Sequence, residues 1–251
     1  MDVSYGQFCT VARAAEALCE RWTPLLVREL LCGSRRFNDL HRGVPRMSTS
    51  LLSQRLRHLE ELGVVRRTAN GKVWEYSLTE AGEDLRPIIM ALGHWGAHWI
   101  GSRLRDDELD AGLLMWDVRR FVRIAEFPPR PVVIHFSFRD ARPGEQQWWL
   151  LVEQGVADLC RDDPGREPCL VVDASVRALT DVWSGERSPQ QVLQNGELLE
   201  SGNHDQLMEK QGLYSRLYTM NYSSFDDLPE NAEDAAAARS RFLAMMSHEL
   251  R

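Results

Sequence analysis

Residues 48–63 read STSLLSQRLRHLEELG, and their pattern predicts one amphipathic helix. A serine opens the segment and a glycine closes it, as expected of a helix N-cap and of a left-handed stop. At about 100° per residue the leucines fall on one side of the helix and polar groups on the other. The leucine side holds Leu51, Leu52, Leu56, Leu59 and Leu62, and the polar side holds Ser50, Gln54, Arg57 and Glu61, with Ser53 and His58 at its borders.

This polar side has two interpretations. Hydroxyl, amide and guanidinium groups read base edges and phosphates in the major groove of DNA, so the segment fits a recognition helix. An ordinary surface helix would show the same alternation. The neighbouring segments favour the first interpretation.

The preceding residues predict further helices and a turn. Residues 9–22 carry apolar side chains at helical spacing, and a proline suited to a first helical turn opens a second helix at 24–31. Residues 35–43 predict a third helix, and residues 44–47 a turn. Short helices joined by a tight turn to a polar-faced helix form the helix-turn-helix plan.

The following residues predict a hairpin. Residues 64–68 and 73–78 are rich in β-branched and aromatic side chains, and the Asn-Gly pair at 70–71 is a strong signal for a two-residue turn. The hairpin would be the wing of a winged helix. It carries the cations Arg66, Arg67 and Lys72.

The charge of the chain is unevenly distributed. The net charge is −7, yet residues 34–67 hold eight arginines and three acidic residues. A phosphate-binding surface needs only a local excess of cations, so the acidic total does not exclude DNA. The predicted groove contacts are Ser50, Gln54, Arg57 and His58, and the predicted phosphate contacts are Arg35, Arg36, Arg66, Arg67 and Lys72.

The sequence gives little support for a membrane span, a disulfide framework, a metal site or an enzyme. No stretch approaches the roughly 18 uncharged residues of a membrane span, and no secretion signal opens the chain, so we expect a cytoplasmic protein without a membrane partner. Five cysteines without a CxxC pair favour reduced thiols over disulfides or zinc. His94 and His98 have a metal-ligand spacing but lack a third ligand. We therefore predict no enzyme, no cofactor and no metal.

Four segments together resemble the HxlR-type winged-helix transcription regulators over about residues 5–100. They are WTPLLVRELLCG (22–33), RRFNDL (35–40), STSLLSQRLRHLEELGVVRR (48–67) and EYSLTEAG (75–82). The resemblance implies a homodimer on a pseudo-palindromic, double-stranded DNA operator.

The resemblance also implies roles for single residues. Ser48 would cap the recognition helix, and Arg55 would join the DNA-facing set, although the helical wheel places Arg55 beside the leucines. Cys9 matches the N-terminal cysteine through which some family members sense oxidants or electrophiles. The residues alone leave buried packing as the alternative for Cys9.

A further helix is predicted from Thr79 to Ile100, kinked or interrupted at Pro87. Its wide apolar stripe holds Leu85, Ile88, Ile89, Leu92, Trp95 and Trp99. In the family this helix pairs two protomers, and a two-fold interface would bury such a stripe.

The second half begins after an acidic linker near residues 106–110. A helix at 114–122 is followed by strands at 131–138, 148–152 and 169–174 and by helices at 175–185 and 188–196. This order looks like a sterol-carrier-type α/β domain over about residues 125–200. The resemblance implies an apolar pocket for a small effector between sheet and helices, and an α/β core without a ligand is the alternative.

The tail matches other families. Residues 196–218 resemble the C-terminal end of ABC-transporter ATPase domains, and residues 238–251 resemble a histidine-kinase phosphoacceptor box with His248 in the phosphorylated position. The chain has neither a phosphate-binding loop nor a following kinase domain, so we expect neither activity. We predict a strand and helix at 196–218 that complete the sheet, and a terminal helix at 235–250.

The predicted fold class is therefore α+β: a winged helix-turn-helix, a small α/β sterol-carrier-like domain and a helical tail. The predicted divisions are a DNA-binding and dimerisation domain at 1–104, a linker and helix at 105–124, an effector domain at 125–220 and a tail at 221–251. The predicted function is a transcriptional regulator that reads the major groove with helix 48–62 and responds to a small apolar effector or to thiol chemistry. The alternative is a small-molecule or lipid sensor or carrier whose winged helix serves mainly for dimerisation.

Overall fold

The computed structural model describes residues 4–100 and 104–201. The chain divides into two compact units, Met1–Trp95 and Gly96–Arg251, and the described part of each has its own hydrophobic core. The predicted terminal helix at 235–250, His248 and most of the 196–218 segment lie outside the described residues.

The first unit contains three helices, a turn, a longer helix, a hairpin and two further helices, so the predicted helix-turn-helix order is confirmed. Its core is built by apolar side chains from the second to fourth helices and the hairpin. The elements are α1 Thr10–Leu18, α2 Thr23–Leu31, α3 Phe37–Gly43, α4 Thr49–Glu61, β1 Val65–Asn70, β2 Val73–Leu78, α5 Glu80–Glu83 and α6 Arg86–Trp95.

The start of α3 differs from the prediction. The helix was expected from residue 35, but Arg35 and Arg36 are extended and lie beside the hairpin. The backbone N–H of Tyr76 donates to the Arg35 carbonyl at 2.8 Å, and Arg36 forms a β-bridge with Glu75. These backbone contacts with β2 replace the helical ones, so α3 begins only at Phe37.

The predicted helix at 79–100 is interrupted, as the proline indicated. The Thr79 side chain caps α5 by accepting a hydrogen bond from Gly82 N–H at 3.2 Å. The helix restarts at Arg86, so Pro87 lies in the first turn of α6, where its missing N–H removes no helical bond. A π-helical turn, Gly96–Ile100, follows α6.

Gly82 lies where two backbone segments of the first unit come close together. A Cβ at this position would lie 2.3 Å from the Val64 carbonyl oxygen, which is held by the Thr79 N–H at 3.0 Å. We expect Gly82→Ala to destabilise the protein by about 1–3 kcal/mol, because the backbone must shift to relieve the clash.

Urea denaturation checks this expectation, with Gly93→Ala as the matched control. A Cβ at Gly93 in α6 would meet no described atom within 4 Å, so alanine should be neutral or stabilising there by up to about 1 kcal/mol. Equal unfolding midpoints for the two variants would contradict the close approach at Gly82.

Within the described residues, the second unit forms one sheet of five strands in the order β5-β4-β3-β6-β7. β3 and β6 are parallel, and the other neighbours are antiparallel. Besides two short 3-10 turns, the elements are α7 Ala111–Phe121, β3 Val132–Phe138, β4 Gln147–Glu153, β5 Val156–Cys160, β6 Leu170–Ala174, α8 Val176–Ser184, α9 Pro189–Gln194 and β7 Leu198–Ser201. The strand expected after residue 196 is thus confirmed as β7 at the sheet edge.

One strand of this unit and the packing of one predicted helix were not predicted. Strand β5 follows a two-residue turn of Gln154 and Gly155, both with positive φ, and glutamine carries little of the turn signal that asparagine would. Helix α7 was grouped with the linker, but its side chains Leu114, Met115 and Val118 are buried in the core of the sheet. It is therefore part of the second unit's core.

An ion pair connects the segment just before α9 to the residue just before β7. The Arg187 guanidinium donates to both carboxylate oxygens of Glu197, at 2.6 and 2.7 Å. These hydrogen bonds lower the pKa of Glu197 to about 2. A carboxylate with a depressed pKa stabilises the folded state only while ionised. Its contribution is therefore complete above about pH 4.5 and is lost as the pH falls towards about 2.

We expect the Glu197 carboxyl carbon to titrate near pH 2 in an NMR experiment on the labelled protein. In Arg187→Gln the guanidinium is absent, so the pKa should rise towards about 4.3, the ordinary value for glutamate, with the Asn195 amide as the remaining hydrogen-bond donor. A wild-type pKa near that ordinary value would show that the ion pair does not form in solution.

Candidate DNA-binding surface

Helix α4 has the ends that its sequence predicted. The Leu51 N–H donates to the Ser48 hydroxyl at 3.3 Å, and Gly63 has a φ of +72° just after the helix. Leu52, Leu56 and Leu59 are at most 1% exposed, so the leucine side is buried in the first core. This burial fixes which side of α4 faces outward.

The outward side of α4 presents a polar strip. Ser50, Gln54 and Arg57 are exposed, and His58 is half-buried at the edge of the strip. From residue 50 to residue 57 the helix rises about 10 Å, which is close to the width of the major groove, about 12 Å. The strip therefore has the size and the donors and acceptors to contact base edges.

Arg55 does not belong to this strip. Its guanidinium is paired with Glu20, and its side chain is 18% exposed. The role that the resemblance implied for Arg55 is thus wrong in this chain, and the helical wheel gave the correct side. The ion pair joins α4 to the segment before α2.

The turn before α4 is held by a residue that the sequence did not single out. His41 Nε2 donates to the Met47 carbonyl oxygen at 2.8 Å, and the Met47 side chain is buried. Because Met47 immediately precedes Ser48, this bond positions the start of α4. A histidine inside a short polar helix gives no sequence signal for such a contact.

The predicted cations of the hairpin point in different directions. Side chains alternate across a strand, so Arg66 shares a face with Ser77, whereas Arg67 shares the opposite face with Tyr76 and Trp74. The guanidinium carbon of Arg67 lies 4.0 Å from the centre of the Trp74 ring. Lys72 is exposed in the turn.

Arg35 and Arg36 are both exposed and lie beside the hairpin because of their extended backbone. Arg36 Nε is 3.9 Å from the Glu75 carboxylate, which also accepts a hydrogen bond from the Asn70 amide. The structure thus brings these two arginines to the wing, although the sequence had placed them on α3.

Cys9 is exposed and occupies the N-cap position of α1. The alternative of buried packing is therefore wrong for the single chain. Helix α6 also leaves apolar side chains uncovered: Ile88, Leu92 and Trp95 are each more than half exposed.

The second unit was expected to hold an apolar pocket between its sheet and helices, and the structure differs from this expectation. Buried side chains such as Met115, Phe136 and Leu179 occupy the space between sheet and helices. A cleft of about 530 Å³ opens near the starts of α7 and α8, and charged residues dominate its lining: Asp106, Asp110, Asp140, Arg142, Glu145 and Arg177.

The described residues contain neither a metal-binding group nor a membrane-spanning helix. Among them, no group of three histidine, cysteine, aspartate or glutamate side chains is arranged to hold a metal ion. None of the helices in that part of the chain has the length and apolar character needed to cross a membrane.

Comparison with known proteins identifies the first unit. The model of the HxlR-like helix-turn-helix family matches residues 17–103. The uncharacterized HTH-type transcriptional regulator YvaP of Bacillus subtilis is 38% identical over 97 residues, which span 38% of this chain and 90% of YvaP. The regulator MT3179 of Mycobacterium tuberculosis is 45% identical over 96 residues, or 36% of this chain and 59% of MT3179.

Similarity extends to solved structures. The redox regulator HypR in its reduced form is 32% identical and matches 35% of this chain and 90% of HypR, with a TM-score of 0.34. The reduced form of the transcriptional regulator YodB from B. subtilis is 27% identical and matches 37% of this chain and 95% of YodB, with a TM-score of 0.34. On the family match and the near-complete coverage of YvaP, this chain belongs, through residues 17–103, to the HxlR-like helix-turn-helix family of transcriptional regulators.

Proposed function

We propose that this regulator binds a pseudo-palindromic operator with α4 in the major groove. The observation that carries the proposal is the exposed strip of Ser50, Gln54 and Arg57 on a helix whose opposite side is buried and whose start is capped. Arginine pairs with guanine and glutamine with adenine through two hydrogen bonds each, and such contacts distinguish bases. His58 borders the strip and completes the base-reading set.

Cations around α4 would contact the phosphates. Two lie before α3, two on the hairpin strands and one at the hairpin turn, and all are exposed: Arg35, Arg36, Arg66, Arg67 and Lys72. Contacts of this kind release counterions, so binding should weaken with a log–log salt slope of about −0.9 per neutralised phosphate. Ser48 contributes by capping α4 rather than by charge.

The uncovered stripe of α6 supports a homodimer through the region 79–100. Ile88, Leu92 and Trp95 would be buried if two copies packed about a two-fold axis. A two-fold dimer presents two copies of α4, which explains why the operator would be a pseudo-palindrome.

The second unit would carry the response to an effector. The sterol-carrier-like assignment made from sequence is supported by the order of the elements. This order is one helix, four strands, two helices and a strand at the sheet edge. We propose that this unit binds a small effector, with thiol chemistry at the exposed Cys9 as the other route of control. In either case the ligand or oxidant would act by changing the affinity of α4 for the operator.

Selection of DNA from a random pool by the full-length protein tests this function. We expect one enriched motif with two inverted half-sites whose centres are separated by about one helical turn or a multiple of it. Recovery of a single half-site would contradict the dimer, and the absence of any enriched motif would contradict sequence-specific binding. In the second case native mass spectrometry for a bound small molecule would test the carrier alternative.

A further inference from the structure

Arg67 and Trp74 form a cation–π pair on one face of the wing. They lie diagonally across the hairpin, since Arg67 pairs with Tyr76 and Trp74 pairs with Ala69. The guanidinium carbon is 4.0 Å from the ring centre, and the Trp74 side chain is 50% exposed. A guanidinium held over an indole face keeps the N–H donors at its edge available for other partners.

Arg66, the other arginine on the hairpin strands, has no aromatic residue as its cross-strand neighbour. Arg66 lies on the opposite face, where its cross-strand neighbour is Ser77 rather than an aromatic residue. A free arginine side chain loses about 2 kcal/mol of rotamer freedom when a contact fixes it. Trp74 already restricts Arg67 in the unbound protein, so Arg67 loses less of this freedom when it meets a charged partner.

The thickness of the pair indicates which part of DNA it can meet. The guanidinium carbon lies 4.0 Å from the ring centre, so with the outer half-thickness of each group the pair is at least about 7 Å thick. The minor groove of B-DNA is only about 6 Å wide. The intact pair therefore fits against the phosphate backbone, where the guanidinium edge can bind a phosphate through two hydrogen bonds.

We infer that Trp74 is a positioning residue for DNA binding: it holds Arg67 in the orientation in which the guanidinium binds a backbone phosphate. The inference rests on the DNA binding proposed above. It assigns different roles to the two strand arginines, because only Arg67 depends on the indole. It also makes this contact independent of base sequence.

A double-mutant cycle on the full-length protein tests the inference. Binding of the selected operator is measured by fluorescence anisotropy for wild type, Trp74→Leu, Arg67→Ala and the double variant. Trp74→Leu should weaken binding about two- to fivefold, as expected for the loss of an exposed cation–π contact, and by the same factor on unrelated DNA. In the Arg67→Ala background the same change should have almost no effect.

Three controls separate positioning from structure. Trp74→Phe keeps a ring under the guanidinium and should restore most of the affinity. Trp74→Leu should retain its full effect in an Arg66→Ala background, because Arg66 lies on the other face. The salt slope should become shallower by about 0.9 in Arg67→Ala and should not change further in the double variant.

The outcomes distinguish this inference from the proposed function. If the wild type fails to bind any selected DNA, both are wrong. If the wild type binds but the effects of Trp74→Leu and Arg67→Ala are additive, or Trp74→Phe is as weak as Trp74→Leu, the positioning role alone is overturned. A loss confined to operators with one particular flanking sequence would overturn the phosphate contact in favour of groove insertion.

Discussion

Replacing Arg57 with alanine is expected to weaken binding to the selected operator by about 1–3 kcal/mol, which is roughly 5- to 150-fold. The side chain is exposed on the outward strip of α4, so the loss should come from base contacts and not from the fold. Anisotropy titrations against the operator and against variants with one altered base pair measure the effect. Discrimination at one position of each half-site should disappear.

Lys72→Ala is the matched control because it also removes one exposed positive charge. It lies in the hairpin turn and is proposed to contact a phosphate, so its loss should weaken binding to all sequences alike and flatten the salt dependence. If both variants lose affinity equally for operator and unrelated DNA, the assignment of Arg57 to base reading is wrong.

Replacing Leu56, the residue just before Arg57, should lower the stability of the first unit instead of removing a base contact. Leu56 is 1% exposed in the first core, and Leu→Ala changes at such sites cost about 2–5 kcal/mol. A domain of this size has a total stability on the order of 5–15 kcal/mol, so the loss is a large share of it. We expect the urea midpoint of the first unit to fall strongly in Leu56→Ala.

Arg57→Ala serves as the control for this experiment, since the two side chains are neighbours in sequence on opposite sides of one helix. Its free energy of unfolding should stay within about 0.5 kcal/mol of wild type. An unchanged midpoint for Leu56→Ala would mean that the leucine side of α4 is not the buried one.

The elements of the first unit could be predicted because their signals are local. Ser48 and Gly63 mark the ends of α4 through groups within one turn, and the leucine spacing identifies the buried side without knowledge of the core. The Asn-Gly turn identified the hairpin for the same reason. Each signal depends on residues only a few positions apart.

The structure differs from the sequence prediction where backbone segments that are distant in sequence pair with each other. Arg35 and Arg36 are extended because β2, some 40 residues later, offers a hydrogen bond to them, and local helix propensity cannot show this. Helix α7 was assigned to the linker because its partners are strands that follow it in sequence. Strand β5 was missed because its turn uses glutamine at positive φ.

The candidate site also combines features that local sequence signals predicted with features that depend on distant residues. The helical wheel placed Arg55 on the buried side correctly, since that placement needs only the helix period. The separation of Arg66 from Arg67 needed the strand register, and the cation–π contact of Arg67 with Trp74 needed the hairpin geometry. The contact between His41 and Met47 depends on the path of the turn.

The extended segment at Arg35 has a consequence for how this regulator can respond to a signal. The Tyr76 N–H bond fastens the wing to the start of α3, and the Thr79 hydroxyl donates to the Gly63 carbonyl at 2.6 Å, which fastens the end of the wing to the end of α4. These two bonds connect the second hairpin strand and the residue that follows it to the helical part of the unit, so we expect α4 and the hairpin to move together. A change in operator affinity caused by an effector or oxidant should accordingly depend on the spacing between half-sites, with the bases preferred inside each half-site unaltered.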